Sequence, residues 1–306
     1  VRNPLFYAKI LLFGEYGIIE NSKGLALPLN FYKGTLKYNA VKEKAAYSNK
    51  CLVAFADHLR TLKKSDFPRF NLSQLDQDLK KGMFFDSNIP QGYGVGSSGA
   101  LVAAIYERYA TDKISITPIH KEKIRRLKQI FSIMESYFHG TSSGIDPLIC
   151  YLNIPLLIHS KDDISTIGIP KNNGKGGIFL LNSGLPGKTS PMIKIFFDKL
   201  KNQGFRKTLK QEFIKYNDAC VGAFIKGEKI TLFNNLKSLS SWVFMHFKPM
   251  IPAPVLNLWK RGLETNSYYL KLCGSGGGGY ILGFTEDYEK AAALLHPYKT
   301  EIVYRF

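Results

Sequence analysis

The chain is poor in cysteine, and what it has forms no pattern. Cys51, Cys150, Cys220 and Cys273 stand far apart without a CxxC pair, which excludes a disulfide framework and a cysteine-based zinc site. The six histidines are as scattered, with neither HExxH nor a Cys/His ligand spacing. No apolar run approaches the ~20 residues that span a bilayer, and the first residues lack the charged, apolar and small-residue order of a signal peptide. A protein with reduced thiols in the cytoplasm and no membrane partner is therefore expected. The loop GxxxxGK[ST] is missing too, which removes the P-loop NTPases. Acidic residues are scarce: 24 Asp+Glu face 42 Lys+Arg, a formal net charge of +18. That excess points to an anionic partner without saying which.

What is present is core-forming material. With 306 residues, 45% hydrophobic and 13% aromatic, the chain can build one large domain or two packed ones, and global disorder is excluded. FYAKILLF reads as a strand over 6–13, broken at Gly14 and resumed at 17–19. Helices are expected at 52–63 and 98–109, with a Gly/Pro/Asn loop over 86–96 between them. Over 120–138, Ile124, Leu127, Phe131, Met134 and Phe138 recur at spacings of three and four and make one apolar helical stripe. Glu135 sits at the edge of that stripe, where a carboxylate is costly unless a cation, metal or donor answers it. The segment after it, HGTSSGIDPLICYLNIPLLI, reads as a polar loop running into strand. The polar, glycine-rich stretch 161–177 is the expected domain boundary, dividing the chain into 1–170 and 171–306. Beyond it come a strand at 178, helices at 192–201, 208–224 and 230–247, strands at 268–273 and 280–284, a helix at 287–295 and a strand at 301–304. Strands at hairpin distance among helices favour an α+β fold.

Two segments match GxGxxG literally: Gly94 to Gly99 and Gly274 to Gly279. A dinucleotide site needs a strand before the glycines, a helix after them and an acid about 20 positions on. The first lacks the strand and the acid, and the second runs into a strand, so neither is a Rossmann fingerprint. The first does put Gly and Ser at a helix N-terminus, where unpaired N–H groups and the helix dipole favour a phosphate. On the residues alone, a helix simply capped by Ser97 or Ser98 fits equally well.

Three segments in one order decide between these. AKILLFGEYGII, PQGYGVGSSGA and KLCGSGGGGYI resemble the three signature motifs of the GHMP kinases, the superfamily of galactokinase, homoserine kinase, mevalonate kinase and phosphomevalonate kinase. Within it the chain is most similar to mevalonate kinase, through K-x-x-x-F-G-E at Lys9 to Glu15 and E-x-x-x-H-G-x-x-S-G-x-D at Glu135, His139, Gly140, Ser143, Gly144 and Asp146. The resemblance implies a two-lobed fold: an N-terminal α/β sandwich domain with a left-handed βαβ unit, a C-terminal ferredoxin-like α+β domain, and the active cleft between them.

It also implies chemistry: transfer of the γ-phosphoryl group of ATP, with Mg²⁺, to the 5-hydroxyl of (R)-mevalonate. Gly94, Gly96, Ser97, Ser98 and Gly99 would contact the phosphates, and Ser98 and Glu135 would hold Mg²⁺, a hard ion suited to oxygen ligands. Asp146 would take the hydroxyl proton, with Lys9 beside it. Glu15, Tyr16, His139, Thr189, Gly276 and Gly277 would line the acceptor. Each has a plainer reading: Lys9 as an edge-strand lysine, Asp146 as a turn residue, Ser98 as a cap. Tyr16 stands where the family usually has His, and GSSGA replaces GSSAA, two changes also seen in phosphomevalonate kinases, which makes phosphomevalonate the alternative acceptor.

Two other functions compete with the kinase. The run HKEKIRRLK at 120–128 and the +18 charge raise a nucleic-acid binder, but the basic residues flank an apolar stripe, as a solvated helix face does, and no RNP or helix-turn-helix pattern supports it. A catalytically dead sensor conflicts with the presence of Lys9, Ser98, Glu135 and Asp146 together. The expected partner is a small hydroxy acid, with no nucleic acid, for a monomer or homodimer.

Overall fold

The structure, a computed structural model, describes residues 4–38, 43–62, 67–170 and 173–306. Its strands are β1 (Phe6–Phe13), β2 (Gly24–Lys37), β3 (Phe84–Ser87), β4 (Leu156–Ile158), β5 (Ile164–Thr166), β6 (Gly177–Asn182), β7 (Tyr269–Leu272), β8 (Tyr280–Thr285) and β9 (Thr300–Arg305). They form two sheets in a mixed α+β fold, one ordered β1-β2-β4-β5 with β3 also on β2, the other β7-β8-β6-β9. By compactness the chain divides into two units. One comprises the described residues of Val1–Lys9, Pro28–Pro90 and Gly96–Ile154, the other Ile10–Leu27, Gln91–Val95 and Pro155–Phe306. β1 and β2 each contribute to both units. Of the 161–177 stretch, residues 171 and 172 lie outside the described residues.

In the first unit three helices pack on one another: Ser97–Tyr109, Lys121–His139 and Ile145–Leu152. Most of the stripe of the second helix is buried as its spacing predicts, with Ile124, Leu127, Phe131 and Met134 inside, Phe138 only half-buried, and Lys121 and Arg125 exposed. Alanines 100, 103 and 104 of the first helix are buried as well, and such small side chains let neighbouring helices approach. The rings of Tyr106, Phe131 and Tyr151 meet edge to face at 5.1–5.4 Å where the three helices converge. Truncating Phe131 to Ala there would cost about 3–5 kcal/mol.

Several expectations fail, each for a physical reason. Ile145–Leu152 is a helix, not strand: Ile145, Pro147, Leu148, Ile149, Cys150 and Leu152 are all buried, so no polar face marks the helical period, and Pro147 sits in the first turn where a missing N–H costs little. Residues 17–20 form a 3₁₀ turn rather than a resumed strand, and the second strand is the long β2 that follows. The helix expected from 52 starts earlier, at Glu43, and runs to Thr61, while Lys63 lies outside the described residues. Helices Leu72–Lys80 and Leu256–Thr265 were not expected at all. The helix expected over 208–224 is interrupted by a π-helical turn at Leu209–Phe213.

In the second unit, β8 is buried at every position and β7 likewise. Such strands read as continuous apolar runs rather than alternating ones. All pairings in this sheet are antiparallel. Helices Lys229–His246 and Leu256–Thr265 pack on β7, and Phe13 stacks on Phe284 with centroids 5.5 Å apart.

Candidate functional site

Helices Ser97–Tyr109 and Ile145–Leu152 begin side by side. A Cβ on Gly99 would lie 2.8 Å from the Asp146 carbonyl carbon and the Pro147 nitrogen, so only glycine allows this approach. Gly96, just before the first helix, has φ +83°, and a Cβ there would meet the Lys9 side chain at 2.9 Å. The lysine stem therefore runs along bare backbone. Its Nζ reaches Asp146 Oδ2 at 2.8 Å, with the lysine side chain 4% exposed and the aspartate 37% exposed. The ammonium is buried while the carboxylate opens outward.

Glu135 lies beside this pair and is buried. The Ser98 hydroxyl donates to Glu135 Oε1 at 3.0 Å, and the Ser142 hydroxyl donates to Oε2. Because Ser98 spends its one proton on Glu135, His139 Nε2, 3.1 Å from Ser98 Oγ, is the donor of that contact. Burial pushes the Glu135 carboxyl up to about 7, and the charge of Asp146 adds to the shift, while Ser142, Ser98 and Lys9 oppose it. Burial, with the nearby Lys9 charge, lowers the His139 pKa, although Asp146 pulls the other way, so the imidazole is neutral near pH 7. Cys150, behind Gly96, has its thiol pushed well up by burial and is chemically inert.

This set suits a hard divalent cation. Among the described residues there is no group of three or more His, Cys, Asp or Glu that could hold a metal. Mg²⁺ asks for less: one or two carboxylates, with water and phosphate completing its octahedron. Glu135 with the Ser98 hydroxyl offers such oxygen donors, and a cation would offset the cost of ionising a carboxyl buried this deeply.

The first unit thus brings together Lys9, Gly96, Ser98, Gly99, Glu135, His139 and Asp146, with Ser97 as the first residue of the glycine-capped helix. Gly94 belongs to the second unit, where it packs against the carbonyl of Cys273. There Ser275 Oγ donates to Thr189 Oγ1 at 3.4 Å, and Gly277 N donates to the Met250 carbonyl at 2.7 Å. Gly276 lies between those two contacts. Glu15 and Tyr16 also lie in this unit, and both are buried. Ser142 and Lys271 are partners of buried carboxylates that no sequence signal marks as site residues. Ser142 occupies a variable position of the Glu135–Asp146 motif, and Lys271 opens the segment KLCGSGGGGYI as a cation inside an apolar run.

Residues 51–153 match the family model described as the GHMP kinases N terminal domain. The match contains Gly96 to Gly99, Glu135, His139 and Asp146, while Lys9 lies outside it. GHMP kinases are phosphotransferases that use ATP. No curated protein matches the chain in sequence. Among solved structures, a mevalonate kinase from L. major in complex with R-mevalonate is similar, with TM-score 0.62 and 15% identity, covering 96% of this chain and 90% of that one. A Streptococcus pneumoniae phosphomevalonate kinase in complex with phosphomevalonate and AMPPNP gives TM-score 0.62 at 12% identity, covering 99% of this chain and 100% of that one. A Lactococcus lactis galactokinase complexed with galactose gives 0.63 at 10% identity, covering 98% and 92%. These likenesses establish the GHMP kinase fold, and the same fold carries three different acceptors among them. No helix among the described residues is long and apolar enough to cross a membrane.

Proposed function

We propose that the chain is an ATP-dependent small-molecule kinase that phosphorylates the 5-hydroxyl of (R)-mevalonate. The observation that carries this reading is the buried Lys9 beside the half-open Asp146, next to a Glu135 held by Ser98 and Ser142. The Ser97–Tyr109 helix N-terminus presents unpaired N–H groups to the triphosphate. Ser98 and Glu135 would hold Mg²⁺, which supplies neutralisation of phosphate charge. Asp146 holds the acceptor hydroxyl and receives its proton, and Lys9 stabilises the developing alkoxide. The acceptor oxygen bonds to the γ-phosphorus as the bond to the ADP oxygen breaks.

A magnitude constrains the timing. A carboxylate and an alcohol differ by about 12 pKa units, taking water for the hydroxyl. Asp146 therefore does not deprotonate the acceptor in advance. The proton moves late, as the phosphorus–oxygen bond forms in a loose transition state. Thr189, Gly276 and Gly277 are assigned to the acceptor on the strength of the motif resemblance. In this reading 1–170 carries the nucleotide and metal groups, and 171–306 carries the substrate loop and third glycine motif.

The test is ADP release measured with (R)-mevalonate, phosphomevalonate, galactose and homoserine. Turnover is expected with mevalonate, and its absence with all four would reject the acceptor assignment. Phosphomevalonate is the second candidate, favoured by Tyr16 and the GSSGA helix start.

A further inference from the structure

Glu15 and Lys271 form an ion pair at 2.5 Å with both side chains only 7% exposed. No step above uses it. The cavity beside it, lined by Tyr16, Phe213, Asn217 and Phe247 among others, measures about 10 Å³, room for no more than a single water. An acceptor has no space to reach the Glu15 carboxylate there. Taking two charges out of water is expensive, and apolar side chains of similar volume often pack as stably. Stability alone therefore does not account for the pair.

Its neighbours suggest what does. Lys271 Nζ also donates to the carbonyl of Leu272 at 2.9 Å. Tyr16, next to Glu15, has φ +62°, a strained conformation for a residue with a side chain. Its hydroxyl donates to the Ser275 carbonyl at 2.6 Å, and its ring packs on Phe196 and Phe247 at 4.7 and 5.4 Å. Two adjacent side chains of one turn thus grip the chain at Lys271 and at Ser275, on either side of Cys273 and Gly274. Ser275 in turn donates to Thr189. The phenol, committed to a carbonyl, has no proton left to offer a substrate.

We propose that Lys271 is a positioning residue: with Glu15 and Tyr16 it fixes the path of the 273–279 loop that holds the alcohol acceptor, so the Glu15–Tyr16 turn braces that loop without touching the acceptor. The acceptor half rests on the kinase reading above, and the loop half does not.

The experiment separates bracing from mere stability. Lys271→Met removes the ammonium that faces the buried Glu15 carboxylate and should lower the melting temperature. Glu15→Leu combined with Lys271→Met removes both charges and should recover it. In the recovered double variant, the KM for the acceptor is expected to stay raised about tenfold with the KM for MgATP unchanged, the signature of lost acceptor binding alone. Amide hydrogen exchange in the 272–280 peptide should stay faster than in the unaltered protein. An acceptor KM and an exchange rate that both return with the melting temperature would overturn the proposal. If the unaltered protein phosphorylates none of the alcohols, the kinase reading falls, and exchange still decides: faster upholds the brace, unchanged refutes it. Should the double variant fail to recover, Tyr16→Phe removes only the hydroxyl. Faster exchange in the same peptide supports the brace, and unaltered exchange overturns it.

Discussion

Two lysine–carboxylate pairs, one in each compact unit, show how the same chemistry serves different ends. Lys9–Asp146 is asymmetric, with the cation 4% and the anion 37% exposed. Glu15–Lys271 is closed on both sides at 7%. Exposure of one partner leaves the carboxylate free to meet a ligand while the buried ammonium fixes its orientation. Closure of both leaves nothing to react, and the pair can act only through the chain it ties. Geometry and solvent access, not residue type, separate a reactive pair from a structural tie.

The sharpest break of this comparison is Asp146→Ala. Phosphoryl transfer should fall about 10³-fold or more, the upper range for a lost proton acceptor, while MgATP binding by titration stays close to its original value. Wild-type-like turnover would remove Asp146 from its role. Lys271→Met should do the reverse in kind, costing about 3–5 kcal/mol of stability in urea unfolding because it removes the cation that faces a buried carboxylate. A change below 1 kcal/mol would mean that water reaches Glu15.

Ser142→Ala probes the support behind the open pair. It removes one of two hydroxyls on Glu135, and the Mg²⁺ concentration for half-maximal activity should rise about 10-fold, as for other outer partners of a metal ligand. An unchanged Mg²⁺ dependence would take Ser142 out of that role.

A third buried carboxylate supplies the control. Asp78 is 4% exposed and accepts hydrogen bonds from Tyr109 at 2.7 Å and Gln74 at 3.0 Å, with Arg108 at 3.2 Å. Burial pushes its pKa up, but hydrogen bonds from Tyr109, Tyr38 and Gln74 and the charge of Arg108 outweigh this and hold it below the usual carboxylate value. A depressed folded pKa stabilises the protein above the unfolded pKa of about 3.9, and that contribution is lost as pH falls through the folded value. Asp78→Asn should therefore cost about 1–3 kcal/mol at pH 7 and make the acid limb of the stability curve shallower, without altering turnover per folded molecule. An acid limb of unchanged slope would refute this.

Legibility in the sequence followed the range of the interaction. The Lys121–His139 helix was readable because its apolar residues repeat with the turn, and Glu135 stood out as a carboxylate on a buried edge. The Ile145–Leu152 helix was not, since burial on nearly every side erases the polar face that signals a helix. Ser98 reads in sequence as either a cap or a ligand, and only the fold places Glu135 and His139 on its hydroxyl. Lys271 could not be paired from sequence at all: its partner lies 256 positions away.

By itself the sequence determined the motifs, their order, the glycine-capped helix start and the lack of any disulfide or P-loop. These are local properties, set by which side chains a few neighbouring residues carry. Tertiary structure alone decided which carboxylate stays open, which lysine answers it and which glycines let helices touch. Those depend on where distant backbone passes and how much water it excludes, and a carboxylate's charge and reach are fixed by that surrounding rather than by its neighbours in the chain.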